Sequence, residues 1–265
     1  MATCYRHPQR ETGVSCSNCG RAICTDCMTT TPVGMRCPEC SRQRTQVHTL
    51  RSMTTDPIAT YVIIAICVLA YFGSRAGGTG RAFNELLLYG PAVADGEYWR
   101  LVTSGFLHAG LLHLLFNMYV LYWLGRMIEP AIGTARFLAL YGTALLAGSL
   151  GVLLLSFDSR TVGASGAVFG LMAAAFVMQR SRGIDPMASG LGPVILLNLG
   201  ITFLLPGISI GGHLGGLIGG AAAALALENL SARRSSQWAA LLACLGLSVL
   251  AVAGSLAVAN AQSGF

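Results

Sequence analysis

From Pro57 onward the chain is a succession of long apolar stretches separated by short polar breaks. Seven such stretches are read at 57–74, 105–125, 135–156, 165–179, 191–206, 211–229 and 237–259. Apolar runs of this length, with few charges, predict an all-α polytopic membrane protein, because only helices satisfy every backbone group inside lipid without closing a barrel. Several runs fall short of the ~20 residues a lone span needs, so the shorter ones are expected to be enclosed by their neighbours. The 75–104 stretch is too mixed to span. Its Glu85–Tyr89 and Tyr98-Trp99-Arg100 clusters are expected in the headgroup zone, which favours aromatic rings and arginine.

Residues 1–45 break the pattern: they are polar and rich in cysteine, and 46–56 read as a linker. Four ligand pairs stand at two-residue gaps, Cys4 with His7, Cys16 with Cys19, Cys24 with Cys27, and Cys37 with Cys40. Eight ligands so spaced suffice for two tetrahedral zinc sites, and nothing in the spacing leaves an open coordination position, which predicts structural rather than catalytic metal. Disulfides are the alternative. Seven cysteines with one histidine, on a face expected to be reducing, suit metal better. Cys67 and Cys244 fall in apolar runs and read as packing residues.

Composition supports the membrane reading: of 265 residues, 54% are hydrophobic and 11% charged, well under the quarter typical of soluble domains. The 33 glycines suit helices whose backbones approach closely in lipid. The net charge of +6 comes from arginines in loops and in the first 51 residues. They are read as topology determinants, and no nucleic-acid partner is expected. Arg42, Arg44, Arg51, Arg126, Arg136, Arg180, Arg182, Arg233 and Arg234 would lie on one side, against Arg75, Arg81, Arg100 and Arg160 on the other. That bias predicts an N-terminus in the cytoplasm and a C-terminus outside, for a multi-pass protein expected in the plasma membrane. The first residues are polar where a secretory signal would be apolar.

Polar side chains at bilayer depth are costly unless paired, which makes them functional candidates. Three groups stand out. His113 and Asn117 are four apart in the second run, so they share a helix face and can aim two donors at one oxyanion; His108 precedes them. A structural hydrogen-bonding pair or metal ligands would use the same spacing. Ser165 lies between Gly163 and Gly166 at the start of the fourth run, near exposed helix-terminal amides. His213 lies in the sixth, followed by Gly216 and Gly220, a pair that lets its helix press against a neighbour. Ser and His together can generate a nucleophile, the ring taking the hydroxyl proton as oxygen attacks. No acidic residue is close enough in an apolar run to act as third member, so a dyad is expected.

These residues together resemble the rhomboid family of intramembrane serine proteases: Trp99-Arg100 before the second run, the spaced His108, His113 and Asn117 within it, Gly163-Ala164-Ser165-Gly166 opening the fourth, and Gly212-His213 with Gly216 and Gly220 in the sixth. The likeness covers roughly 57–230, implying a six-helix core with a seventh helix added in 231–265. By that resemblance Ser165 is the nucleophile and His213 the base. His113, Asn117 and the Ser165 amide form the oxyanion hole, with His108 in support. Phe169, one turn past Ser165, is placed to pack on the His213 ring. Trp99-Arg100 matches the family's first-loop motif. Glu129 matches an acidic position, though Ala131 stands where a basic partner is common. The implied substrates are transmembrane segments of other proteins, reached in the bilayer, with water entering from the outer face through a polar cavity lined by His113, Asn117 and His213. Catalysis needs no cofactor. The N-terminal pairing resembles a B-box-like cross-brace, pairs one and three on one zinc and two and four on the other, with sequential pairing the alternative; a protein or peptide partner is its expected use. Two other classes compete: a proteolytically silent receptor or chaperone for transmembrane segments, which could lose Ser165 or His213 freely, and a transporter, which would show internal repeats that are absent here.

Overall fold

A computed structural model describes residues 2–42, 56–74, 80–232 and 237–263. The expected linker at 46–56 therefore lies, but for Asp56, outside the described residues. The chain divides into two compact units, 1–54 and 55–265.

The first unit holds two antiparallel hairpins, β1 (Ala2–Thr3) with β2 (Glu11–Thr12) and β3 (Thr29–Thr31) with β4 (Gly34–Arg36), and a short helix α1 (Pro38–Arg42). Its core is almost entirely sulfur: among the described residues, Ile23 is the one buried side chain that is not a cysteine. So small an apolar core cannot hold a unit of this size unaided.

In the second unit, helices α2 (Ile58–Gly73), α6 (Leu111–Ile132), α7 (Thr134–Leu155), α8 (Ser165–Ser181), α9 (Leu191–Leu204), α10 (Ile210–Ala232) and α11 (Gln237–Ser263) coincide with the seven apolar runs. Four of them, α6, α7, α10 and α11, are long and apolar enough to cross a membrane; α2 and α9 are shorter apolar helices. The fold is all-α and polytopic. The second run alone is displaced. Leu107–Gly110 are not helical, so α6 starts at Leu111, and it continues past Arg126 to Ile132. Gly133, at φ +86°, then separates α6 from α7 with a backbone that side-chain-bearing residues rarely adopt.

The buried face of each helix follows from residue size. Helix α8 is buried on nearly all sides through Ala167–Ala175 and Met178, which is why 17 residues suffice for it. Helix α10 packs chiefly on α7 and α8. A Cβ at Gly216 would lie 2.0 Å from the Gly166 carbonyl oxygen, one at Gly220 2.3 Å from the Gly170 Cα, and one at Gly151 2.1 Å from the Gly211 oxygen. These backbones touch because nothing stands between them. Helix α11 is peripheral. It packs on α7 and α10, where Thr143 Oγ1 and Ser248 Oγ lie 3.0 Å apart.

Glu129 is wholly buried, with no basic partner among the described residues. Its carboxylate accepts from the amides of Ala59 (2.9 Å) and Thr60 (2.8 Å) at the start of α2, and from the hydroxyls of Thr60 (2.7 Å) and Thr134 (2.9 Å). A helix N-terminus thus does what a cation would, which accounts for Ala131 in the basic position.

The 75–104 region departs from expectation. Its short helices α3 (Arg81–Leu86), α4 (Gly90–Ala94) and α5 (Arg100–Thr103) fold back onto the bundle: Leu88, Val93 and Leu101 cluster with Val152, Leu153 and Ala259. Arg100, expected among headgroups, is buried. Its guanidinium donates to the carbonyls of Asn84 and Leu87, both at 2.7 Å, and to Glu97 at 2.6 Å. Three oxygen acceptors inside the loop outcompete hydration. Trp99 stays half exposed, its Nε1 donating to the Glu85 carbonyl at 3.1 Å.

Candidate active site

The site lies where the loops 156–164 and 205–209 meet the first turn of α6. The first loop is pinned: Leu88 and Thr161 exchange backbone hydrogen bonds of 3.0 and 2.9 Å, and the Gly163 amide donates to the Ser104 carbonyl at 3.0 Å. Gly163 then turns at φ +132°, where a Cβ would come within 2.8–2.9 Å of the His113 ring. Glycine is required there on both counts. Helix α8 begins at Ser165, and its N-cap Ala164 offers no side-chain cap. The first intrahelical bond runs from Val168 to the Ala164 carbonyl, so the Ser165, Gly166 and Ala167 amides have no acceptor within the helix. At the head of α10, Ser209 caps instead: its Oγ accepts from the Gly212 amide at 3.1 Å and its carbonyl from His213 at 3.2 Å.

The glycine contacts between α8 and α10 bring Ser165 Oγ and His213 Nε2 to 2.8 Å. The His213 ring stacks on Phe169, centroids 4.1 Å apart at 17°. Its Nδ1 is 2.7 Å from Thr202 Oγ1 of α9, a contact that sequence reasoning missed. Nothing marks one threonine in an apolar run, although its spacing of eleven from His213 across the Pro206-Gly207 turn offered the one available hint. His113, Asn117, Ser165 and His213 all line a single cavity of about 980 Å³, with Ser104, Ser156, Ser159, Arg160 and Thr161 supplying polar surface at the loop end. One Asn117 amide proton goes to the His113 carbonyl at 2.9 Å, and the side chain, with its second amide proton, lines the cavity. His108 is wholly buried, its ring edge-on to His113 at 5.1 Å, and it does not line the cavity. Trp99 and Arg100 lie outside the cavity lining and brace the loop before α6.

The N-terminal clusters are Cys4, His7, Cys24 and Cys27, and Cys16, Cys19, Cys37 and Cys40, each with its ligand atoms within 4.8 Å of one another. The grouping is crossed, pair one with three and pair two with four, not sequential. His7 Nδ1 lies 3.3 and 3.4 Å from the Cys24 and Cys27 sulfurs, and the Cys19 and Cys37 sulfurs are 3.8 Å apart. Tetrahedral zinc would set such edges at roughly 3.6 and 3.8 Å, so both clusters could hold a metal ion. The Cys37 amide, donating to Cys16 Sγ at 3.3 Å, holds that thiol down at about 6, toward the thiolate a metal needs.

Residues 95–229 match the Rhomboid domain. The chain is 36% identical over 185 residues to the rhomboid protease GluP of Bacillus subtilis, covering 66% of this chain and 36% of GluP. It is 32% identical to YdcA of the same organism, over 62% of this chain and 85% of YdcA, and 27% identical to the rhomboid protease GlpG of Haemophilus influenzae, over 86% of that protein. The match spans about a third of GluP's length. A model matching half of the chain, and relatives aligned over most of their length, establish that the chain belongs to the rhomboid family.

Proposed function

We propose that the protein is an intramembrane serine endopeptidase acting on the transmembrane segments of other membrane proteins. The observation that carries the reading is the 2.8 Å contact of Ser165 Oγ with His213 Nε2, both of which line a cavity of about 980 Å³. In this reading His213 Nε2 takes the Ser165 proton as Oγ attacks the scissile carbonyl. The oxyanion meets the free amides of the α8 terminus, the second Asn117 amide proton and His113. Collapse returns the proton from Nε2 to the leaving amine and leaves an acyl-enzyme, which water hydrolyses by the same steps in reverse order. A helical substrate shields its carbonyls, so cleavage favours segments that unwind easily. Purified protein should cleave a model transmembrane substrate, and Ser165→Ala and His213→Ala should each remove nearly the whole rate, since nucleophile and base act as a unit. Equal cleavage by parent and Ser165→Ala in pure, detergent-solubilised protein would overturn the reading and favour a silent receptor.

The division proposed is a zinc unit at 1–45, a six-helix protease core at 57–230 and an added helix at 231–265. Two structural zinc ions would hold the first unit, which we assign to a protein or peptide partner. We place the protein in the plasma membrane, and the arginine bias supports an N-terminus in the cytoplasm and a C-terminus outside.

A further inference from the structure

Thr202 is 2% exposed, and its hydroxyl oxygen has two polar neighbours: the Asn198 carbonyl oxygen at 2.8 Å and His213 Nδ1 at 2.7 Å. The hydroxyl carries one proton, and a carbonyl can only accept, so the 2.8 Å contact to Asn198 takes that proton. This is the usual back-bond of a helical threonine to the residue one turn earlier. Thr202 Oγ1 is then an acceptor toward His213, and Nδ1 must be the nitrogen that bears hydrogen. Nε2 is left with its lone pair facing the Ser165 hydroxyl at 2.8 Å.

We propose that Thr202 is the positioning residue that fixes the His213 tautomer, so that the ring meets Ser165 as a base. The inference rests on the protease reading given above and adds a third member to its expected dyad. The chain of donors runs one way, from Ser165 Oγ–H to His213 Nε2, from His213 Nδ1–H to Thr202 Oγ1, and from Thr202 Oγ1–H to the Asn198 carbonyl. The opposite tautomer would set Nε2–H against the Ser165 hydroxyl, leaving the ring unable to take its proton. It would also turn the Thr202 proton toward Nδ1 and leave two bare oxygens 2.8 Å apart. The tautomer of a histidine is set by what its other nitrogen bonds to, and here that is a neutral hydroxyl. A carboxylate in that place would carry a charge to bilayer depth, whereas the hydroxyl is satisfied by its own helix. When the ring takes the Ser165 proton, Nδ1–H remains on Thr202, so ring and nucleophile keep their alignment through both halves of the reaction. Phe169, stacked on the ring face, restrains its tilt but can distinguish neither nitrogen. Because Thr202 lies on α9, it also ties that helix to the two that carry Ser165 and His213.

The test uses the full chain in detergent with a model transmembrane substrate, comparing parent, Thr202→Val, Thr202→Ser and Ser165→Ala. Thr202→Val keeps the shape and removes the acceptor. It should lower kcat about 10- to 100-fold with KM changed by less than about threefold. Thr202→Ser restores the hydroxyl and should recover most of kcat. In histidine-¹⁵N-labelled protein, with the His213 signals identified by their loss in His213→Ala, the parent should show Nδ1 protonated and Nε2 bare. Thr202→Val should lose that preference. A parent His213 protonated on Nε2 would overturn the proposal whatever the variants do, including the case in which Thr202→Val fails to fold. A Thr202→Ser as slow as Thr202→Val, or a Thr202→Val with the parent's kcat, would also overturn it. Should parent and Ser165→Ala cleave alike, the protease reading falls instead, and the ring-nitrogen signals still decide the tautomer.

Discussion

Asn117 shows how one side chain can serve both the fold and the site. One of its amide protons is held by the His113 carbonyl at 2.9 Å, which restrains a side chain that also lines the cavity. The His113 ring is fixed differently, by Gly163, whose missing Cβ leaves room for it. Donors held in place before charge develops stabilise a transition state more than a ground state. Asn117→Ala and His113→Ala should therefore each lower kcat on the order of 10²-fold with little change in KM, read from initial rates over substrate concentration. Parallel losses in substrate binding would instead mark them as packing residues. At this scale much was legible. Ser165, His213, His113 and Asn117 are polar where polarity is expensive, and Phe169 follows by helical spacing. Thr202 was not, because a threonine satisfied by its own helix carries no penalty that would single it out.

Between elements, the distance from nucleophile to base is set by how closely α10 approaches α8. The Gly216–Gly166 and Gly220–Gly170 contacts leave no space for a methyl group. Gly220→Leu should force the helices apart, destabilising the fold by about 1–3 kcal/mol and lowering cleavage more than stability alone explains, since 1 Å of misplacement is costly to catalysis. Thermal unfolding in detergent alongside kcat measures both. A variant with the parent's melting temperature and rate would show that the contact does not set the site. The pairing of these two helices was readable from the spaced glycines, and the other spans from hydropathy. The fold of 80–104 was not. Arg100 has the composition of a headgroup anchor, and only the three-dimensional path of its own loop places three carbonyl and carboxylate oxygens around it. Nor could sequence say that Glu129 needs no cation, because its partners come from the start of α2, some seventy residues earlier.

For the whole molecule, two units with different cores imply two separable stabilities. The first has cysteines where a domain would have leucines, so metal binding and folding should be one equilibrium. Metal analysis of reduced protein should find two zinc ions per chain, and chelation should unfold the first unit, seen as new protease sensitivity within residues 2–42. Fewer than two ions would remove the cross-braced assignment. The crossed pairing was implied only by the B-box-like resemblance, with sequential pairing the alternative; the Tyr5 amide on the Ala22 carbonyl and the Ser17 amide on the Met35 carbonyl bring alternate pairs together. The second unit has its own buried helices and its own cavity, so deleting residues 1–45 should leave it reactive. The central claim is that Ser165 is a nucleophile made so by His213. It is tested most directly by reacting the purified full chain with a mechanism-based serine-hydrolase probe and locating the adduct by mass spectrometry. The account predicts one adduct, on Ser165, lost in Ser165→Ala and nearly lost in His213→Ala. No adduct on Ser165 in active protein, or undiminished labelling of Ser165 in His213→Ala, would contradict it.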